Sequence, residues 1–134
     1  MAALNDVSSK EFEYGIFSGF PAGENLANGA YKFVEIDSSE IVITGAGEQP
    51  AGILVSGVAD ESYCDVKFSG MFILKVDGSG TAIAVGDYLK SDASGVGVKA
   101  DTDKDLYGAM ALEASAAAGD YILVILTHGS VSTT

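Results

Sequence analysis

The sequence predicts an all-β domain: a single small β-barrel or β-sandwich with a flexible N-terminal arm. Three observations point there. Short apolar runs recur along the chain, many alternating with polar residues and none sustaining a helical period. Glycine is abundant and proline scarce (17 against 2), which suits short strands joined by tight turns. Turn signals fall at short intervals and divide the chain into about nine or ten strands, the spacing of a sandwich or barrel.

The totals agree with one domain. A chain of 134 residues and 13.7 kDa is long enough for one core without covalent staples. The single cysteine, Cys64, has no partner for an internal disulfide, so nothing implies an oxidising compartment. The opening Met1-Ala2-Ala3-Leu4-Asn5 lacks the basic flank and apolar run of a signal peptide, and the longest apolar run, Tyr121 to Leu126, is short of a membrane span. The expectation is a soluble chain, intracellular at synthesis. Charge is more telling. Seven lysines, no arginine and 19 acids leave a net charge of −12. That argues against phosphate-mediated nucleic-acid binding and against anionic membrane. It suits a solubility coat, or a surface complementary to a basic partner.

Taken in order, residues 1–13 are polar without a sustained period and read as the arm. Ser8 and Glu11 have capping-box spacing, but no apolar helical run follows. Tyr14 to Phe20 alternates loosely and breaks at Pro21; Ala22 to Gly29 is a loop. Ala30 to Ile36 reads as a strand, with Tyr31, Phe33 and Glu35 on one face and Lys32, Val34 and Ile36 on the other. Asp37-Ser38-Ser39 turns it into Glu40 to Thr44, a hairpin. Gly45 to Gly52 is a loop whose Gly-Ala-Gly start fails as a dinucleotide fingerprint, since Pro50 occupies the third glycine position.

Ile53 to Val58 reads as a buried strand. Ser62 to Ser69 alternates, placing Cys64, Val66 and Phe68 inward and Asp65, Lys67 and Ser69 outward. Cys64 is then a small core residue. Gly70 bends the chain into the apolar strand Met71 to Val76. Gly86-Asp87-Tyr88-Leu89 echoes Gly119-Asp120-Tyr121-Ile122, the same Gly-Asp corner launching a strand twice. Between them come a polar turn at Ser91 to Gly97, a short strand at Val96 to Lys99 and the apolar run Leu106 to Leu112. Ala114 to Ala118 has helical propensity but is too short to nucleate. Tyr121 to Thr127 is nearly all β-branched or leucine and reads as a central strand, apolar on both faces. Residues 14–129 form the predicted domain, and 130–134 a flexible tail.

No enzyme signal emerges. Asp101, Asp103 and Asp105 resemble part of a calcium loop, but Leu106 and Leu112 stand where an EF-hand needs Gly and Glu, and no helices flank it. His128 is the lone histidine and lacks a credible triad or metal partner. Lys99 lacks the hairpin-tip pattern of a lipoyl or biotin carrier. Asp103, Asp105, Tyr107 and Gly108 faintly resemble a segment of trimeric dUTPases, enzymes that depend on arginine, which is absent here. The reading assigns no catalytic residue, no metal and no cofactor.

A resemblance does emerge. Pro50-Ala51-Gly52-Ile53-Leu54, Gly70-Met71-Phe72-Ile73-Leu74-Lys75-Val76, Ala84-Val85-Gly86-Asp87-Tyr88-Leu89 with Ser91-Asp92-Ala93-Ser94-Gly95, Gly108-Ala109-Met110-Ala111-Leu112-Glu113-Ala114 and Ala118-Gly119-Asp120-Tyr121-Ile122-Leu123-Val124 follow one another. In that order they resemble the strand and hairpin signatures of the head decoration, or capsid cement, proteins of tailed bacteriophages. The resemblance implies a β-tulip-like fold and a non-enzymatic homotrimer on the outer surface of the virion capsid, made in the host cytoplasm. Its partner would be the major capsid protein, whose neighbouring subunits it would bridge, with no nucleic-acid or membrane partner. The candidate capsid-contacting residues are Leu4, Asn5, Val7 and Phe12 of the arm and Tyr14 at its root. The alternatives are another phage structural or adhesion module, such as a head fibre base or tail component, and a calcium- or glycan-binding β module.

Overall fold

A computed structural model describes residues 14–132 of the chain. Among these described residues ten strands run in order: β1 (Ile16–Pro21), β2 (Phe33–Asp37), β3 (Glu40–Ile43), β4 (Gly52–Leu54), β5 (Tyr63–Lys67), β6 (Met71–Asp77), β7 (Tyr88–Ser91), β8 (Gly97–Lys99), β9 (Leu106–Ala111) and β10 (Ala118–Ser130). The fold is all-β, as the sequence predicts. The first five strands form an antiparallel sheet ordered β1-β5-β4-β2-β3, and the last five close into a small barrel ordered β10-β6-β8-β7-β9. The barrel's one parallel contact joins β6 to β8 at Val76 and Gly97.

Local chemistry explains the hairpin β2–β3. Ser38 and Ser39 both have positive φ (53° and 65°), and Asp37 pairs with Glu40, so the connection is a two-residue type I′ turn. Across the sheet, a parallel bridge from Ala22 to Ile41 brings the β1 and β3 edges together, so the sheet curls. The amide of Gly23 donates to Ile41 O (2.8 Å) and the amide of Ile43 donates to Glu24 Oε2 (2.8 Å). Those bonds occupy the free edge of β3 and blunt it against further pairing.

Two cores result, and strands β2 and β4 serve both. Phe33 and Ile53 pair directly and enter the barrel's cluster with Phe72, Leu74, Val76, Leu89, Ile122 and Val124. Their chain neighbours Val34 and Leu54 point the opposite way, into the cluster of Ala22, Leu26, Ile41, Cys64 and Val66. Alternation along a strand sends successive side chains to opposite faces. Where both faces are covered, consecutive apolar residues are needed, and Phe33-Val34 and Ile53-Leu54 supply them.

Several sequence readings need correction. The strand predicted from Ala30 begins only at Phe33, because Tyr31 sits in a left-handed turn (φ 67°). The strand at Ile53 ends at Leu54 rather than Val58. Phe68, predicted inward, is exposed, and Lys67, predicted outward, is fully buried. Alternation assigned Lys67 to the face opposite Cys64 and Val66 correctly. That face is not solvent, because Lys67 pairs with Ile53 on the side of the sheet the barrel covers. Strand β10 is paired on both sides but buried on one face only. Gly70 does bend the chain (φ 82°), and Gly86 and Gly119 share the positive-φ corner expected from the echo (93° and 77°).

Candidate contact surface

His128 is exposed near the end of β10. Cys64 is 1% exposed, and burial together with the neighbouring Asp65 charge pushes its thiol above the ordinary range. A thiolate there is scarce. Of the acidic loop, Asp105 bonds Lys90 Nζ at 2.9 Å and accepts the Thr102 amide at 3.0 Å. Partial burial opposes ionisation of Asp105, but those donors outweigh it and its carboxyl lies below the usual range. Among the described residues, no group of three or more His, Cys, Asp or Glu is placed to hold a metal ion. A cavity of about 250 Å³ is lined by Asp77, Gly80, Thr81, Lys90, Val98, Lys99 and Asp101. The Lys90 and Lys99 ammonium groups are already engaged by Asp105 and by Asp87, the latter at 3.7 Å.

What stands out is the barrel's outer face. Inward positions of β6, β9 and β10 carry Phe72, Leu74, Val76, Ala109, Ala111, Ile122, Val124 and Leu126. Most of the alternate positions are also apolar, Lys75, Asp77 and Thr127 excepted. Ile125 lies between Met71 and Met110, Leu123 lies opposite Ile73, and Tyr88 lies opposite Met110. Tyr88 stacks on Tyr107 with ring centroids 4.1 Å apart and planes at 20°. Gly129 makes this possible, because a Cβ there would fall 2.4 Å from the Tyr107 hydroxyl. At the far end, Tyr121 is 55% exposed and has Lys75 Nζ 6.0 Å from its ring centre.

The middle of this face carries no acid, although the chain has 19; the one acid at an outward position of β6, Asp77, lies at the strand's end and accepts from the Ser79 amide and hydroxyl. Glu113, beside the face, accepts the Leu123 amide at 2.6 Å. A contiguous apolar area without like charge, on a chain of net charge −12, has the character of an interaction surface. The sequence did carry this signal: Tyr121 to Leu126 is apolar at every position. Read as burial on both faces, that excess hid the half-exposed side of β10.

Leu4, Asn5, Val7 and Phe12 lie outside the described residues. Tyr14 is exposed (67%), at the point where residues 1–13 join the body. Nearby in the chain, Phe17 contacts Phe20 and Phe68 at ring distances of 5.8 and 5.7 Å, with Phe68 still 44% exposed.

Comparison with known proteins places the chain in a family. No curated protein matches the chain. The N-terminal base of the head fibre protein gp8.5 of bacteriophage phi29 has a similar fold, with a TM-score of 0.67 at 19% identity, over 88% of this chain and 99% of that one. The family model of phage cement proteins matches residues 23–126, most of the folded body. The chain belongs to the phage cement protein family, structural proteins of the phage capsid.

Proposed function

We propose that this protein decorates the outer surface of an assembled phage head as a homotrimer and stabilises the shell by bridging neighbouring major capsid protein subunits. The observation that carries the reading is the apolar outer face of the barrel, whose middle, from Met71 and Ile73 across Leu123 and Ile125 to Met110, holds no acid. Copies each bearing −12 repel one another, and this face lets two of them approach without opposing carboxylates. It is therefore assigned to contacts between copies. Residues 1–13, with Leu4, Asn5, Val7 and Phe12, and Tyr14 at their root, are assigned to the shell, where an extended segment can add a strand to a capsid edge. Binding the assembled shell but not its separated subunits stabilises the shell by linkage. Three arms on one trimer multiply weak contacts by avidity. No step requires bond chemistry, so the protein acts without a catalytic site.

The test is solution mass by light scattering, with and without expanded empty capsids. The expected result is a trimer that co-sediments with capsids. Leu123→Asp with Ile125→Asp places two charges on half-exposed positions and should yield folded monomers that bind shells weakly. Monomeric wild-type protein, or a variant that stays trimeric, would remove the face from the reading. Deleting residues 1–13 without effect on shell binding would remove the arm.

A second reading, the base of a head fibre, is favoured by the likeness to the phi29 fibre base. Electron micrographs of virions labelled against this chain separate the two: even coverage of the shell supports decoration, and label at the foot of projecting fibres supports the alternative.

A further inference from the structure

We infer that Lys67 is a positioning residue: buried between sheet and barrel, its ammonium fastens the chain at Tyr14 and so fixes the described body at the point to which residues 1–13 are joined. Lys67 is one of the largest fully buried side chains among the described residues. It ends β5, in register with Ile16 of β1 on one side and Ile53 of β4 on the other. Ile53 in turn pairs with Phe33, and both enter the barrel cluster. The Lys67 stem therefore belongs to an apolar row facing the barrel. Its Nζ donates to the carbonyl oxygen of Tyr14.

A buried ammonium is tolerated only when acceptors replace its water. The backbone here is shaped to bring one. Gly15 turns with φ 74°, and a Cβ at that position would fall 2.3 Å from Ser69 Oγ and 2.7 Å from Ser69 O. Only glycine lets the chain press this closely on the link from β5 to β6. The next carbonyl is used as well, since the Phe68 amide donates to Gly15 O at 2.7 Å. Successive carbonyls, Tyr14 and Gly15, are thus held by successive residues, Lys67 and Phe68. The clasp lies where the chain crosses from sheet to barrel, near Met71 at one end of the apolar outer face.

A lysine serving only as core filler would act on global stability. A clasp acts locally. The inference deepens the reading of residues 1–13 as the shell contact, but its test uses the free protein and so stands or falls apart from that reading. Hydrogen exchange is followed by NMR on the full chain for wild type, Lys67→Met and Gly15→Ala. The first variant removes the ammonium while keeping the stem's bulk; the second blocks the close approach and leaves Lys67 intact. The Phe68 amide should exchange about tenfold faster or more in both, the scale of losing a hydrogen bond to a charged donor. Amides of the β6–β10 ladder should keep their wild-type rates. Cleavage after Glu13 by a glutamate-specific protease should rise in parallel. Wild-type Lys67 should resist amine acylation that modifies exposed Lys104. Unchanged Phe68 exchange in both variants, equal acceleration throughout the barrel, or ready acylation of native Lys67 would each overturn the clasp. If the clasp loosens as expected while shell binding is unaltered, the clasp stands and the capsid role of residues 1–13 falls.

Discussion

Replacing Phe33 by alanine tests the architecture most directly. Phe33 is fully buried and belongs to the sheet by its backbone, yet its ring completes the barrel core. Its amide donates to Gly95 O (2.8 Å) and its carbonyl accepts the Thr44 amide (3.1 Å), and alanine retains both bonds. The loss is therefore packing. A buried phenyl ring removes roughly 150–250 Å² from water, about 4–6 kcal/mol at 25 cal/mol per Å². Measured Phe→Ala changes in cores run about 3–5 kcal/mol, so about 4 kcal/mol is expected. With an unfolding entropy of about 2.1 cal/mol/K per residue, that lowers Tm by about 14 °C. The assay is urea and thermal unfolding by circular dichroism, with hydrogen exchange read separately in the β6–β10 ladder and the β4–β5 ladder. If one residue couples the two cores, both ladders lose protection together. A loss below about 1 kcal/mol, or loosening confined to the sheet, would refute the shared-core account.

Three further predictions follow from the same structure. Glu35 has a buried Oε1 without a hydrogen-bond partner, and its carboxyl is raised above the ordinary range by burial first and then by the facing carboxyl of Glu48. A group raised in the folded state binds protons more tightly there, so its contribution is full below the unfolded value of 4.5 and is lost as pH rises through the raised one. Glu35→Gln should therefore match wild type in Tm at low pH and exceed it progressively above that value; a constant Tm difference across the range would contradict the carboxyl pair. Ser39→Gly, at the second positive-φ position of the β2–β3 turn, should raise stability by about 0.5–1 kcal/mol in urea titrations, and a decrease would contradict the turn assignment. Cys64 should react with a disulfide reagent at neutral pH only as fast as the sheet opens, and rapid stoichiometric labelling of native protein would contradict its burial.

Much of the fold was legible in the chain because its cues are local. The Asp37-Ser38-Ser39 hairpin, the bend at Gly70 and the doubled Gly-Asp corner each depend on a few adjacent residues and on turn chemistry. Cys64 and Val66 were placed in the core by alternation alone. The cement-family likeness was likewise readable from the order of short Gly, Ala and Asp motifs.

What one strand's sequence does not contain is the identity of the material on each of its faces. By itself the sequence determined an all-β chain, its turns, a net charge of −12 and the family to which it belongs. Only the tertiary structure decided that Lys67 is buried while Phe68 is exposed, that Phe33-Val34 and Ile53-Leu54 divide between two cores, and that Leu123 and Ile125 are only half-buried. The physical reason is shared by all three. Periodicity reports which residues lie on the same side of a strand, and whether that side meets water, a barrel or another molecule depends on packing partners far away in the chain.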